Sequence, residues 1–363
     1  MFLRNAWYVA AWDHEVGSER PFGRILLNEP VVLYRTKAGK VVALEDRCCH
    51  RHYPLHKGTL TDDCIQCYYH GFTYDQTGRC VRVPSQARVP EGARVKRYPA
   101  VERYRWIWVW MGDPDRADES LITDFHWLED PAWRAKGTYF HVKSSYELII
   151  ENLLDLTHLT FVHQSTIGNY ATAEKAEQHT QRTEQDVTVE RWMVDTPPPP
   201  TYARAGGFQG NVDRWQFIQF TPPCYVRLDI GALETGRGAP QKKTHAFAAE
   251  GRMGGGIEMR NLNAITPETE RTTHYFWAQA HNFMLERPEV TEMLFEQISE
   301  AFTQDWEVFE NQQRWIDLDP SAPRFNVAAD SGQIHGLRLL HRRIAEDAGH
   351  AAPPRAVDSP ERA

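Results

Sequence analysis

Apolar residues along the first 115 positions recur in short alternating runs broken by turn-forming residues, a period of two that predicts strands. A hairpin is expected over Tyr34–Leu44, turning through Lys37-Ala38-Gly39-Lys40, with a further turn at Asp75-Gln76-Thr77-Gly78. Trp106-Ile107-Trp108-Val109-Trp110 is a core strand ending at Gly112-Asp113-Pro114. The pattern then changes. From Tyr146 the chain reads YELIIENLLDLTHLTFVHQS, an apolar helix whose start carries Ser144-x-x-Glu147, the spacing of a capping box. Extended segments follow around Arg214–Ile230, Thr244–Ile265 and Glu270–Asn282. Val290–Asp317 then repeats apolar residues at three- and four-residue steps, as a long helix does. This order predicts a mostly β domain over residues 1–115 and a second domain over 116–345. The fold class is α+β, with an antiparallel sheet wrapped on the long helix and a ligand groove between them. Pro197–Pro200 and Gly206–Gly210 are loops that border such a groove, and residues 346–363 have the character of a flexible tail. There is no internal repeat.

At 363 residues, with 41% apolar, 25% charged and 12% aromatic residues, the chain is long enough for two cores and is not a disordered composition. Its net charge of −8, without a Lys/Arg stripe, argues against a nucleic-acid partner. The longest apolar runs are about six residues, far short of the ~20 that span a bilayer. Arg4 and Asp13 interrupt the N-terminal apolar residues, so no signal peptide is read there, and the expected location is cytoplasmic.

Five of the six cysteines fall between positions 48 and 80, which points to metal rather than to a disulfide framework. Cys48 and His50, then Cys67 and His70, form C-x-H-x16-C-x-x-H. Zinc is one reading, since two thiolates and two imidazoles satisfy a tetrahedral ion. Against it stand the one-residue spacing in the first half, the mixed composition of both halves, and Gly71, which lets backbone pass close to a bulky group. Cys49, Cys64, Cys80 and Cys224 are expected to be packing residues.

Downstream, Asn152, Asp155 and His158 are spaced three apart on one helix face, and His163 lies five further on. A separation of five sets two side chains about 140° apart on an ideal helix, so Leu159–Val162 is expected to be irregular if both histidines bind one ion. In Val290–Asp317 the apolar face comprises Leu294, Ile298, Ala301, Phe302 and Phe309, and Asp305 falls inside it, whereas the other acids project away. A buried carboxylate needs a cation or a hydrogen-bond partner to offset its desolvation, and the plain alternative to a metal is a buried arginine. Asp305 is therefore the candidate third ligand.

Together these motifs resemble the Rieske non-haem iron oxygenases, over nearly the whole chain. The resemblance is narrowest to the vanillate O-demethylase and toluenesulfonate methyl-monooxygenase type, through NAWYVA at 5–10, VERYRWIWVW at 101–110, NLLDLTHLTFVH at 152–163, DRWQFIQFTPP at 213–223 and DWEVFENQQ at 305–313. It implies a [2Fe–2S] cluster on Cys48, His50, Cys67 and His70, whose imidazoles raise the potential, and a mononuclear Fe(II) on His158, His163 and Asp305. It implies a homotrimer in which Asp155, with Asn152 beside it, serves catalysis by linking a cluster histidine of one subunit to an iron histidine of the next. Dioxygen would be the co-substrate and a small aromatic acid the substrate, oxidised by O-demethylation with release of formaldehyde, or by hydroxylation at a ring or aryl-methyl carbon. The glycine-rich run Gly251–Gly256 lacks a dinucleotide fingerprint and is expected to be a loop, so NAD(P)H would act only through a separate reductase. Arg204, Arg214 and Arg227 are candidates for holding a substrate anion. A zinc-stabilised binding protein for a small hydrophobic ligand is the alternative from another class.

Overall fold

The computed structural model describes residues 1–237 and 256–349. Its N-terminal unit consists of three small antiparallel sheets. Trp106–Trp110 runs between Trp7–Trp12 and Ala100–Arg103 in the first. Phe22–Leu26, Glu29–Arg35, Val41–Glu45 and Arg97–Tyr98 form the second; Thr59–Thr61, Cys64–Gln66, Thr73–Tyr74 and Cys80–Arg82 form the third. Period-two alternation here serves two cores at once. Val31, Leu33, Val41 and Ala43 point into the main core, while Val32, Tyr34, Val42 and Leu44 pack around Cys48 and Cys67 in a smaller one. The tryptophan strand is buried on both faces because the second unit covers it: the Trp108 ring lies 5.4 Å from Tyr225, and Trp106 lies 4.9 Å from Phe125.

The second unit is a seven-stranded antiparallel sheet in the order Arg134–Val142, Thr272–His281, Ile257–Thr269, Tyr225–Glu234, Val212–Thr221, Val187–Thr196, Glu177–Arg182. Its helices are α1 (Tyr146–Leu154), α2 (Leu159–Val162), α3 (Ala171–Glu174), α4 (Pro200–Gly206), α5 (Pro288–Leu318) and α6 (Ser331–Gly349). α1 and α5 pack against the sheet, and α6 against α1. The face of α5 read from the sequence is the buried one: Leu294, Ile298, Ala301, Phe302 and Phe309 are all buried, and Phe302 stacks on Tyr275. Each of the Leu, Ile and Phe side chains among them contributes roughly 1.5–3 kcal/mol relative to exposure. The architecture is the expected α+β arrangement.

Several local expectations are corrected. α1 is capped by Ser145, whose Oγ accepts from the Glu147 amide at 3.3 Å, so the Ser144-x-x-Glu147 box does not form. Ser144 is instead buried, with its carbonyl accepting from Thr273. The chain breaks from helix at Asp155 (φ −128°, ψ 101°), ahead of both histidines, and Leu159–Val162 is a regular turn of α-helix rather than an irregular one. Arg214–Ile230 is two strands joined by a turn at Pro222-Pro223. Thr244–Ile265 and Gly251–Gly256 lie partly outside the described residues; within them, the strand begins at Ile257. Residues 346–349, assigned to the tail from sequence, belong to α6, where the Asp347 carboxylate accepts from the Arg4 and Asn5 amides. Residues 350–363 lie outside the described residues. α4, α6 and the strands over 134–142 and 177–196 were not read from the sequence at all.

The two units meet through polar as well as apolar contacts. Tyr225 Oη donates to the Trp7 carbonyl, Thr266 Oγ1 donates to the Val9 carbonyl, and the Leu27 amide donates to the Pro267 carbonyl. His274 completes the joint. Its Nε2 lies 2.9 Å from the Ile25 carbonyl and its Nδ1 lies 2.8 Å from the Tyr139 hydroxyl. This is the pattern of a neutral ring that donates at one nitrogen and accepts at the other. Burial, reinforced by the Arg24 guanidinium, lowers its pKa to about 4. A histidine lowered in the fold stabilises it fully above the unfolded value near 6.5, and the contribution is lost as pH falls towards 4. Unfolding midpoints measured from pH 7 to pH 4 are expected to show His274→Gln losing about 3 kcal/mol less than wild type over that interval; parallel curves would contradict this.

Candidate metal centres

Cys48 and Cys67 sit at the start of two loops that project from the third sheet and its neighbour. The Cys48 amide donates to the Tyr53 carbonyl, and the Cys67 amide donates to Phe72. Each loop thus folds back on its own cysteine. The second closes through Gly71, whose φ of +70° a side chain rarely adopts and whose added Cβ would meet Pro84 at 2.9 Å. Both thiols are 2% exposed. Burial, with Cys48 alongside, pushes the Cys67 thiol pKa up, so a thiolate at this position needs the charge of a metal beside it. Tyr74 Oη lies 3.1 Å from Cys48 Sγ and 3.2 Å from Cys49 Sγ. The two imidazoles lie further out. The rings of His50 and His70 are 4.5 Å apart, His50 stacks on Phe72 at 4.6 Å, and its Nδ1 is buried without a hydrogen-bond partner among the described residues. Cys49 is exposed and Cys64 half-buried, so of the four cysteines read as packing residues only Cys80 and Cys224 are buried.

The second centre is assembled from α1, the turn after it, and α5. Among the described residues, His158, His163 and Asp305 are the one group of three or more His, Cys, Asp or Glu whose donor atoms lie within 4.8 Å of one another. His158 Nε2 is 3.7 Å and His163 Nε2 3.1 Å from Asp305 Oδ1. The outer nitrogens are both engaged: His158 Nδ1 lies 2.7 Å from the Asp155 carbonyl, and His163 Nδ1 lies 2.7 Å from Gln304 Oε1. Donating at Nδ1 leaves the Nε2 lone pairs aimed at a carboxylate, an arrangement that only a cation or a proton between them makes favourable. Burial lowers the pKa of His158. Burial lowers that of His163 too, but the hydrogen bond and charge of Asp305 outweigh it, and the net shift is upward.

Sequence spacing alone left the 140° problem, and the backbone solves it at the last residue. His163 leaves α2 with φ −116° and ψ 33°, which swings its ring back beside His158, at 5.3 Å between centroids. Gly168 secures that exit. Its amide donates to the His163 carbonyl, and an added Cβ would lie 1.7 Å from the Leu159 carbonyl oxygen. Asn152 Nδ2 reaches Asp305 Oδ1 at 3.4 Å. The Asp155 carboxylate accepts from the Thr157 amide, so within one chain it is the carbonyl, not the side chain, that orients His158.

These donors line one side of a mostly apolar cavity that opens in part to solvent. Opposite them stands a row of the sheet, with Gln216 paired to Ile230, Ile230 to Met259, and Leu228 to Asn261. Of the three candidate arginines only Arg214 lines this cavity; Arg204 is exposed on α4, and Arg227 bonds to the Asp124 carbonyl in a separate surface groove. Sequence reasoning missed Gln304, Tyr202, Gln216 and Asn261. Gln304 could have been suspected from its place beside Asp305, but nothing in the sequence ties α4 or the strand row to the site.

Residues 142–346 match the family "Vanillate O-demethylase oxygenase C-terminal domain", and residues 6–99 the "Rieske [2Fe-2S] domain". The chain is 41% identical to the toluene-4-sulfonate monooxygenase system iron-sulfur subunit TsaM1 of Comamonas testosteroni, over 97% of this chain and 100% of that one. It is 35% identical to a vanillate O-demethylase oxygenase subunit of a Pseudomonas species, over 96% of each. A crystal structure of dicamba monooxygenase bound to dicamba superposes with a TM-score of 0.85 at 31% identity, covering 96% of this chain and 99% of that one. No helix of the described residues is long and apolar enough to cross a membrane.

Gln304→Leu removes the acceptor at His163 Nδ1 while keeping α5 intact. Titration of the metal-free protein with Fe(II) or Co(II) is expected to show affinity at this centre reduced by about 10–100-fold; unchanged affinity would show that the contact does not orient the ring.

Proposed function

This chain belongs to the Rieske non-haem iron oxygenases as an oxygenase component, with a Rieske [2Fe–2S] domain and a His/His/Asp mononuclear iron site, and we propose that it oxidises the methyl group of a small aromatic acid, releasing formaldehyde from a methoxybenzoate. The observation that carries this reading is the cavity itself. It sets an apolar slot between two imidazoles with a carboxylate and a strand row that includes a buried arginine. We assign Cys48 and Cys67 to one iron of the cluster and His50 and His70 to the other. The buried thiols and the unpartnered Nδ1 of His50 support that division. His158, His163 and Asp305 hold the single iron, a facial set that leaves positions open for dioxygen and substrate.

When bound, the cluster supplies single electrons and the iron the dioxygen activation that places a hydroxyl on the methyl carbon, whose hemiacetal then breaks to a phenol and formaldehyde. The chain's own contribution is orientation and exclusion of water. Gln304 and the Asp155 carbonyl hold the imidazoles in one tautomer, and Asn152 holds the Asp305 carboxylate through Oδ1. Leu156, Leu159 and Phe302 keep the slot dry. As an oxygenase component it depends on a reductase partner, through which NAD(P)H enters. The working unit proposed is a homotrimer. Within it the exposed His70, between the exposed Tyr68 and Tyr69 and Gly71, faces a neighbouring subunit, where Asp155 bridges to His158. In this scheme residues 1–115 carry electrons and 116–345 the oxidation.

A second reading is favoured by the higher identity to TsaM1: hydroxylation of an aryl methyl on a toluenesulfonate. The two differ by one oxygen between methyl and ring, and both need a methyl group beside the iron.

Anaerobically purified protein is expected to hold about three irons and two acid-labile sulfides per chain. Asp305→Ala is expected to lose one iron, keep the red-brown spectrum, and release at least about a hundredfold less formaldehyde from methoxybenzoates in the presence of a reductase. Unchanged iron in the variant would remove Asp305 from the centre. Oxidation of 4-toluenesulfonate without formaldehyde from any methoxybenzoate would select the second reading.

A further inference from the structure

Arg214 is 2% exposed, one of three arginines buried to this depth among the described residues, with Arg191 and Arg260. A guanidinium out of water needs an anion or a full set of acceptors. Arg260 shows the usual solution, with Asp229 at 3.0 Å and Glu258 at 2.9 Å. Arg214 has no carboxylate within ion-pair distance among the described residues. It donates to the Ile167 carbonyl at 3.1 Å and to Thr172 Oγ1 at 3.4 Å, and its Nε is buried without a hydrogen-bond partner among the described residues. Beneath it, at 4.4 Å, lies the ring of Tyr202, whose buried hydroxyl makes no close hydrogen bond and feels the Arg214 guanidinium as its neighbour. Both side chains line the cavity of the iron centre. A second guanidinium, Arg191, adds positive charge nearby without lining the cavity, and bonds to Gln216 and the Thr172 carbonyl. The end of the slot at Arg214 thus holds a buried guanidinium short of acceptors, with a second guanidinium behind it whose charge Asp155 partly offsets.

We propose that Arg214 anchors the anionic head group of the substrate, a carboxylate or sulfonate on an aromatic ring, with the Tyr202 hydroxyl as a second donor. This rests on the reading of the chain as an oxygenase of aromatic acids. The planar fork of arginine matches an oxyanion in two-point contact, and fixing one end of the ring fixes which substituent reaches His158, His163 and Asp305. The competing role is mechanical: Arg214 also pins the segment from Ile167 to Thr172, which follows the His163 turn. The experiment must therefore separate charge recognition from loop support.

Equilibrium binding to the iron-loaded holoenzyme, by calorimetry, uses two matched sets of probes. The anionic set is 3- and 4-methoxybenzoate and 4-toluenesulfonate; the neutral set is 3- and 4-methoxybenzyl alcohol and methyl 4-tolyl sulfone. Wild type is expected to prefer the anions, and the carboxylate and sulfonate arms decide which head group it takes. Arg214→Met is expected to bind the anions at least about a hundredfold more weakly while the neutral probes bind as before. Arg214→Lys, which keeps the charge but loses the fork, is expected to fall between. An equal loss for both sets would assign Arg214 to loop support and overturn the proposal, as would no loss in either set or no preference in wild type. A wild type that prefers anions through Arg214 yet never releases formaldehyde would leave the anchor standing and remove the demethylation reading alone.

Discussion

A single carboxylate placed where water cannot solvate it governs the second unit. Asp305 lies on the apolar face of α5 and meets two imidazole nitrogens whose ring partners are already committed to a backbone carbonyl and to Gln304. Left without a cation, that cluster would set a buried negative charge against two lone pairs. With one, every group is satisfied. The position of α5, the break in the chain at Asp155 and the exit of His163 from α2 all follow from bringing those three side chains together.

The same economy of polar groups appears at the joint between the units. His274 stays neutral because it is buried beside the Arg24 guanidinium, while its ring nitrogens meet the Ile25 carbonyl and the Tyr139 hydroxyl, and the indole and phenol rings around Trp108 and Tyr225 fill the space between the sheets. Polar pairs set the alignment of the units, and aromatic area holds them in contact. The consequence is that the electron-carrying loops and the oxidising cavity belong to one packed body within the chain.

Much of this was legible before any coordinates, and for identifiable reasons. Spacing exposed Cys48, His50, Cys67 and His70 because metal chemistry restricts residue type as well as interval. Asp305 was legible because a charge inside an apolar stripe conflicts with its surroundings, and such conflicts mark sites. The geometry joining His158 to His163 was not, since it depends on one residue leaving the helix and on Gly168 permitting the close approach of Leu159. The cap falls one position later than the spacing predicts because Ser144 and Ser145 are equally good acceptors, and the choice is fixed by distant partners, Thr273 on the Ser144 carbonyl and Gln313 on the Ser145 amide. α4 and α6 went unread for another reason: their apolar faces are short, and their packing partners lie far away in sequence.

The strands Glu29–Arg35 and Val41–Glu45 give one set of side chains to the cysteine core and the alternate set to the main core. The seam between the two functions therefore runs along the middle of a sheet, not through a linker. An electron-delivery unit transplanted from a relative with its boundary near residue 115 would bring half of a foreign core with it. Val31 and Leu33 would have to suit one parent while Val32 and Tyr34 suited the other. Exchanging whole modules would break this shared wall, whereas substitutions in the cavity walls leave it intact.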